Sequence, residues 1–185
     1  MSSHDIFSLQ YPIGKFEWTT TQPSSKEKKE ILDVLKNFPA LVEREVEGLK
    51  ENELQTPYRE GGWTIAQVVH HLADSHSHAY LRSKHALLES TPKIKDYAEA
   101  EWAKLEDASS SDVSPSILIL KGVHKRWVVF FESLSESQFE NEYHHPERSK
   151  NYPLYIVMKL YAWHSMHHLE HIRSLKKRMS NSNKS

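Results

Sequence analysis

The stretch Leu160–Leu175, LYAWHSMHHLEHIRSL, sets the hardest condition on how this chain can fold. It carries His164, His167, His168 and His171 within eight residues. Wound as a helix at about 100° per residue, Val157, Leu160, His164, His168, His171 and Leu175 share an arc of roughly 80°. The imidazoles therefore sit on the core stripe, with His167 at its edge. Buried rings need partners for their nitrogens. A metal ion would satisfy one nitrogen of each ligand at once. The pairs His164/His168 and His167/His171 have i,i+4 spacing, which stacks two side chains on one face. Zinc-binding HExxH helices use the same spacing.

Two ligands leave a site incomplete, because a catalytic zinc takes three protein ligands and keeps a fourth position open. A third can come from VVHHLADSHSHAY, Val68–Tyr80. There His71, Asp74 and His78 share one flank, while His70 and His76 lie on other sides. His71 flanks Val68 and is better placed than His70, but the helical wheel does not settle between them. Asp74 is a candidate acceptor for a ligand's second N–H, or a general base. Arg126, in HKRW, is a candidate for bidentate capture of a substrate carboxylate. Tyr58, Arg59 and Trp63 are placed to rim an opening. Trp63, Trp127 and Trp163 also read as packing residues. Glu170 points to another face.

Among 185 residues there is no cysteine and there are thirteen histidines. A metal must then be held by imidazole and carboxylate, and any thiol in a reaction must come from a substrate. The charge balance, 24 Lys plus Arg against 25 Asp plus Glu, gives no footprint for nucleic acid. No apolar run reaches the roughly 20 residues of a membrane span, and the first residues do not form a signal peptide. The expected compartment is the cytoplasm.

Five glycines and long periodic segments predict an all-α, single-domain fold over 1–185. Helices are expected at Lys26–Lys50, from Thr64 as N-cap to Glu89, from Ser114 to Ser133, and from Pro153 to Arg178. Pro39 should kink or break the first. Residues 1–25 read as an extended arm packed on the bundle, and 180–185 as a frayed tail. The connections Glu51–Gly62, Ser90–Val113 and Leu134–Tyr152 are long, as functional loops often are.

YREGGWTIAQVVHHLADSH (Tyr58–His76), VHKRW (Val123–Trp127) and LYAWHSMHHLEHI (Leu160–Ile172), with the arm motif YPIGKF, resemble the signature blocks of the YfiT group in the DinB superfamily. The likeness runs from about Tyr11 to Met179. It implies a four-helix bundle, often a homodimer, with zinc or nickel held by three histidines. Matched by position, those are His71, His164 and His168. It also implies metal-dependent hydrolysis, or conjugation of a small thiol such as bacillithiol to an electrophile, since such a centre activates either water or a thiol. The partner is then a small-molecule substrate. A metal-binding bundle without catalysis, or an interaction bundle without metal, are the readings from other classes. Ligand softness favours Zn, Ni, Co or Fe over Mg or Ca.

Overall fold

The computed structural model describes residues 3–182. Four long helices make the bundle: α2 (Ser25–Val46), α4 (Ile65–Leu88), α7 (Ser114–Glu132) and α8 (Leu154–Ser182). A short α1 (Ser3–Gln10) precedes them, and α3 (Glu51–Leu54), α5 (Glu99–Trp102) and α6 (Glu106–Ser109) lie in the connections. Each of α2 and α4 packs against both α7 and α8. The consecutive long helices α2 and α4 thus stand across a diagonal.

Local chemistry explains where these helices start. Ser24 and Glu27 form a reciprocal capping box before α2, and Thr64 and Gln67 form another before α4. Each satisfies donors that the first helical turn leaves orphaned. The Gln67 side chain also donates to the Ala103 carbonyl at 2.7 Å, which ties α4 to the loop beside it. Pro115 lies in the first turn of α7, where its missing N–H costs nothing.

Pro39 does not break α2, which runs through it. Leu35, Phe38 and Val42 on either side are fully buried. Their burial stabilises by about 1.5–3 kcal/mol each, against about 3 kcal/mol for an internal proline. Pro39 still leaves a mark: without its N–H, the Leu35 carbonyl four residues back has no intrahelical partner.

Three other expectations change. The arm is not wholly extended, because Ser3–Gln10 is helical. The expected tail overlaps α8, which reaches Ser182; 183–185 lie outside the described residues. The Leu134–Tyr152 connection is ordered by a 3-10 turn (Ser137–Glu140) and an antiparallel hairpin, β1 (Glu142–His145) and β2 (Lys150–Pro153). The hairpin buries Tyr143, His145 and Tyr152 and feeds directly into α8. Backbone bonds between His144 and Pro92–Ile94 pin it to the chain leaving α4.

The core has two apolar clusters. One gathers Leu35, Trp127, Phe131, Tyr143, Leu154 and Met158. The other gathers Phe38, Val42, Val69, Leu72, Leu120 and Leu169. Histidines bridge them: His76 stacks on Phe38 of one cluster at 5.5 Å and meets Trp127 of the other at 6.2 Å.

Candidate metal centre

Helix α4 contributes His71, and α8 contributes His164 and His168 one turn apart. One nitrogen from each lies within 4.8 Å of the others. His71 Nε2 and His164 Nε2 are 3.3 Å apart. Two nitrogens on a tetrahedral metal, each at about 2.1 Å, stand about 3.4 Å apart. The spacing fits a shared ion.

Electrostatics agree with that fit. Burial pushes the His71 imidazole down to about 4 and holds His164 and His168 well below the ordinary histidine range, with the neighbouring rings adding to the effect. All three are therefore neutral near pH 7, the protonation state a metal requires. Trp63, just before α4, covers His71 at 4.6 Å between ring centres.

His167, His168 and His171 form a second group of close nitrogens. It lies on one helix, and His171 is already engaged. Its Nε2 meets the Gln10 carbonyl at 3.2 Å, its Nδ1 faces His168 Nδ1 at 3.4 Å, and Tyr58 stacks on it at 4.1 Å. His70 is turned away from the site. Its nitrogens meet Ser116 Oγ at 2.8 Å and the Ser110 carbonyl at 3.0 Å. Of the two residues between which the helical wheel does not choose, His70 packs against α7 and His71 faces α8.

A cavity of about 380 Å³ opens onto His71, His164 and His168. Arg82, Asp96, Glu99, His145 and Arg148 line its far side. Asp96 is occupied: it receives the Tyr97 backbone N–H at 3.0 Å and faces Arg82 and His145 at 3.5 Å. Glu99 has no hydrogen bond or ion pair among the described residues; although it keeps solvent contact, partial desolvation raises its carboxyl, against the pull of Arg148 and Arg82. Among the described residues, four that line it carry a buried polar atom without a hydrogen-bond partner: the Tyr97 hydroxyl, His145 Nδ1, Trp163 Nε1 and His167 Nδ1.

Two expected residues are not brought to this cavity. Asp74 makes no hydrogen bond to His71; burial raises its carboxyl, and nearby Asp107 raises it further. Arg126 is exposed on the outer face of α7, its guanidinium 5.4 Å from the Tyr80 ring. Arg126 lies two positions after His124, about 200° around the helix, so it cannot share the inward direction that His124 takes. His78 stacks on Tyr97 at 4.5 Å.

Sequence reasoning missed two inward histidines. His76 is fully buried behind His164, with Nε2 3.0 Å from His164 Nδ1. His124, on α7, lies behind it, with Nε2 2.7 Å from His76 Nδ1. Its own Nδ1 meets the Leu35 carbonyl at 2.6 Å. The available signal was His124 in VHKRW, on the apolar stripe with Leu120, Trp127 and Phe131.

Comparison with known proteins follows the same lines. The sequence profile of the DinB superfamily matches residues 35–172. The chain is 42% identical over 173 residues to YfiT of Bacillus subtilis, covering 93% of this chain and 96% of that protein. It is 44% identical over 174 residues to a Geobacillus thermodenitrificans protein, covering 94% and 97%. Both relatives are named as candidate metal-dependent hydrolases. The solved structure of YfiT superposes with a TM-score of 0.91 at 40% identity over 94% of this chain, and is described as a four-helix bundle of unusual topology. Neutral imidazoles converging from two helices of such a bundle, and a match that spans most of the sequence, place this chain in the DinB superfamily.

Proposed function

We propose that the chain is a metal-dependent hydrolase of small polar substrates, with one divalent ion held by His71, His164 and His168. The observation that carries this reading is the 3.3 Å approach of two neutral imidazole nitrogens at the mouth of a cavity. Three uncharged ligands leave a bound ion its full charge, which polarises a substrate carbonyl and acidifies water. Zinc or nickel suits the all-nitrogen donor set.

The chain's own residues divide the remaining work. Trp63 shields His71. Arg148 and Arg82 supply positive charge at the far side of the cavity and orient an electronegative group of the substrate. The unpartnered N–H of Trp163 and the nitrogens of His145 and His167 offer further hydrogen bonds to it. Glu99, with its raised carboxyl, takes and returns a proton at its carboxylate. It replaces Asp74 in that role.

The same centre suits transfer of a small thiol, since the protein has no cysteine of its own. One experiment separates these outcomes. Purified chain is stripped with a chelator, reloaded with zinc or nickel, and assayed against a panel of esters and amides with and without a small thiol. Metal-restored, thiol-independent release of acid supports hydrolysis. Turnover only with thiol present replaces it with the transferase. No metal dependence in either arm sinks both. A homodimer is part of the proposal and is checked by light scattering.

A further inference from the structure

Two rows of imidazoles run from the candidate ligands on α8 to backbone carbonyls. Behind His164 the links are His164 Nδ1 to His76 Nε2 at 3.0 Å, His76 Nδ1 to His124 Nε2 at 2.7 Å, and His124 Nδ1 to Leu35 O at 2.6 Å. Behind His168 they are His168 Nδ1 to His171 Nδ1 at 3.4 Å and His171 Nε2 to Gln10 O at 3.2 Å. Both carbonyls are ones that helix geometry leaves without a donor. Pro39 has no N–H to give Leu35, and Gln10 ends α1.

A carbonyl can only accept. That fixes every proton in each row. His124 must carry its hydrogen on Nδ1 to donate to Leu35. A neutral ring has one N–H, so His124 Nε2 accepts, and His76 must donate from Nδ1. His76 Nε2 then accepts, and His164 donates from Nδ1. The lone pair of His164 is left on Nε2, the nitrogen that faces His71. In the second row His171 donates from Nε2 and accepts on Nδ1, so His168 donates from Nδ1 and keeps its lone pair on Nε2. An extra proton in either row would be a buried cation with no carboxylate in the row to meet it.

We propose that these two rows hold the α8 ligands in the Nδ1–H tautomer, presenting Nε2 of His164 and His168 to the ion, and that His76, His124 and His171 are positioning residues. This rests on the metal reading above for its purpose, but not for its test. Ligating histidines usually give their second N–H to a carboxylate, carbonyl or water. Here imidazoles relay that role to carbonyls on distant segments.

The test uses the full chain. Long-range proton–nitrogen NMR on histidine-labelled, metal-free protein at pH 7.5 reads each tautomer directly. Nδ1–H at His124, His76, His164 and His168, with Nε2–H at His171, is expected. Nε2–H at His164 or His168, or an even mixture, overturns the proposal. Zinc affinity is then measured by chelator competition in His76→Phe and His76→Gln, with a thermal melt as the folding check. His76→Phe should bind zinc roughly 10–100-fold more weakly. His76→Gln, which can still accept from His164, should recover most of the loss. Unchanged zinc affinity in folded His76→Phe also overturns the proposal. If His76→Phe does not fold, the NMR result on the unaltered chain decides alone. Wild-type chain that binds no zinc or nickel while showing the stated tautomers refutes the metal reading and leaves the rows standing.

Discussion

His164 and His168 are one helical turn apart, yet different parts of the molecule stand behind them. The row behind His164 is built from α2, α4 and α7, its links are 2.6–3.0 Å, and His76 and His124 are essentially without solvent contact. The row behind His168 ends on the N-terminal segment, and its links are 3.2–3.4 Å. On the proposed reading, one candidate ligand is oriented by the core of the bundle and the other by a peripheral strap. Orientation of a site can therefore be rigid on one side and adjustable on the other, even when both ligands share a helix.

The largest expected effect ignores this asymmetry. Removing any ligand, His71→Ala, His164→Ala or His168→Ala, should reduce bound zinc from one per chain to a small fraction, read by elemental analysis after gel filtration. His70→Ala should retain it, because that ring serves Ser116 and Ser110. Stoichiometric metal in His164→Ala would end the comparison before it starts.

Acid should come next. Burial lowers His71 and His124 to about 4 in the fold, against about 6.5 when unfolded. The unfolded chain then binds the extra protons, so stability is intact above about pH 6.5 and is lost as pH falls toward 4. Each such ring contributes on the order of 3 kcal/mol by the end of that window. With several rings alike, the sum rivals a domain's whole stability. Denaturant titrations of metal-free protein from pH 7.5 to 4.5 should show the midpoint falling steeply. Zinc should move the fall to lower pH, since it competes with protons for the same nitrogens. A flat profile would show that these rings are not buried neutral.

Changes to the two carbonyl anchors sharpen the contrast. Pro39→Ala returns an N–H to compete for the Leu35 carbonyl. It should raise the melting temperature, as loss of an internal helix proline does, while zinc binds a few-fold more weakly. Tyr11→Ala loosens the other strap, because Tyr11 meets His167 at 6.0 Å and adjoins Gln10. It should weaken zinc by less than His76→Phe, with little change in melting. Equal losses from both sides would erase the difference between core and strap.

The legible parts of this molecule are those set by local rules. Ser24 and Thr64 cap helices because their side chains reach N–H groups three residues on, and sequence spacing contains that fact. Helical periodicity put His164, His168 and His171 on one stripe. What spacing could not contain is which neighbouring helix lies behind a given ring. His76 looked turned away on its own wheel because α7, with His124, was not on that wheel. Arg126 suffered the same way. The hairpin was hidden for another reason: EYHHPERSKNYP has strand-forming tyrosines only at Tyr143 and Tyr152, and its pairing depends on the Pro92–Ile94 backbone. Pro39 is the instructive case. Read locally it is a helix breaker, and read in the fold it is what leaves the Leu35 carbonyl for His124.

The smallest expected effect tests whether α2 acts as a rigid anchor. Ser24 accepts the Glu27 N–H and Glu27 returns the bond to the Ser24 N–H at 2.8 Å. Ser24→Ala should destabilise the fold by about 1 kcal/mol, seen as a shifted denaturation midpoint at unchanged slope. The Leu35 carbonyl lies three turns further along, amid fully buried Leu35 and Phe38. Fraying of the first turn should not reach it, so zinc affinity and the His124 tautomer should stay as they are. A cap variant that also weakens zinc would mean α2 moves as a whole, and that the core-side ligand is no better anchored than the one held by the strap.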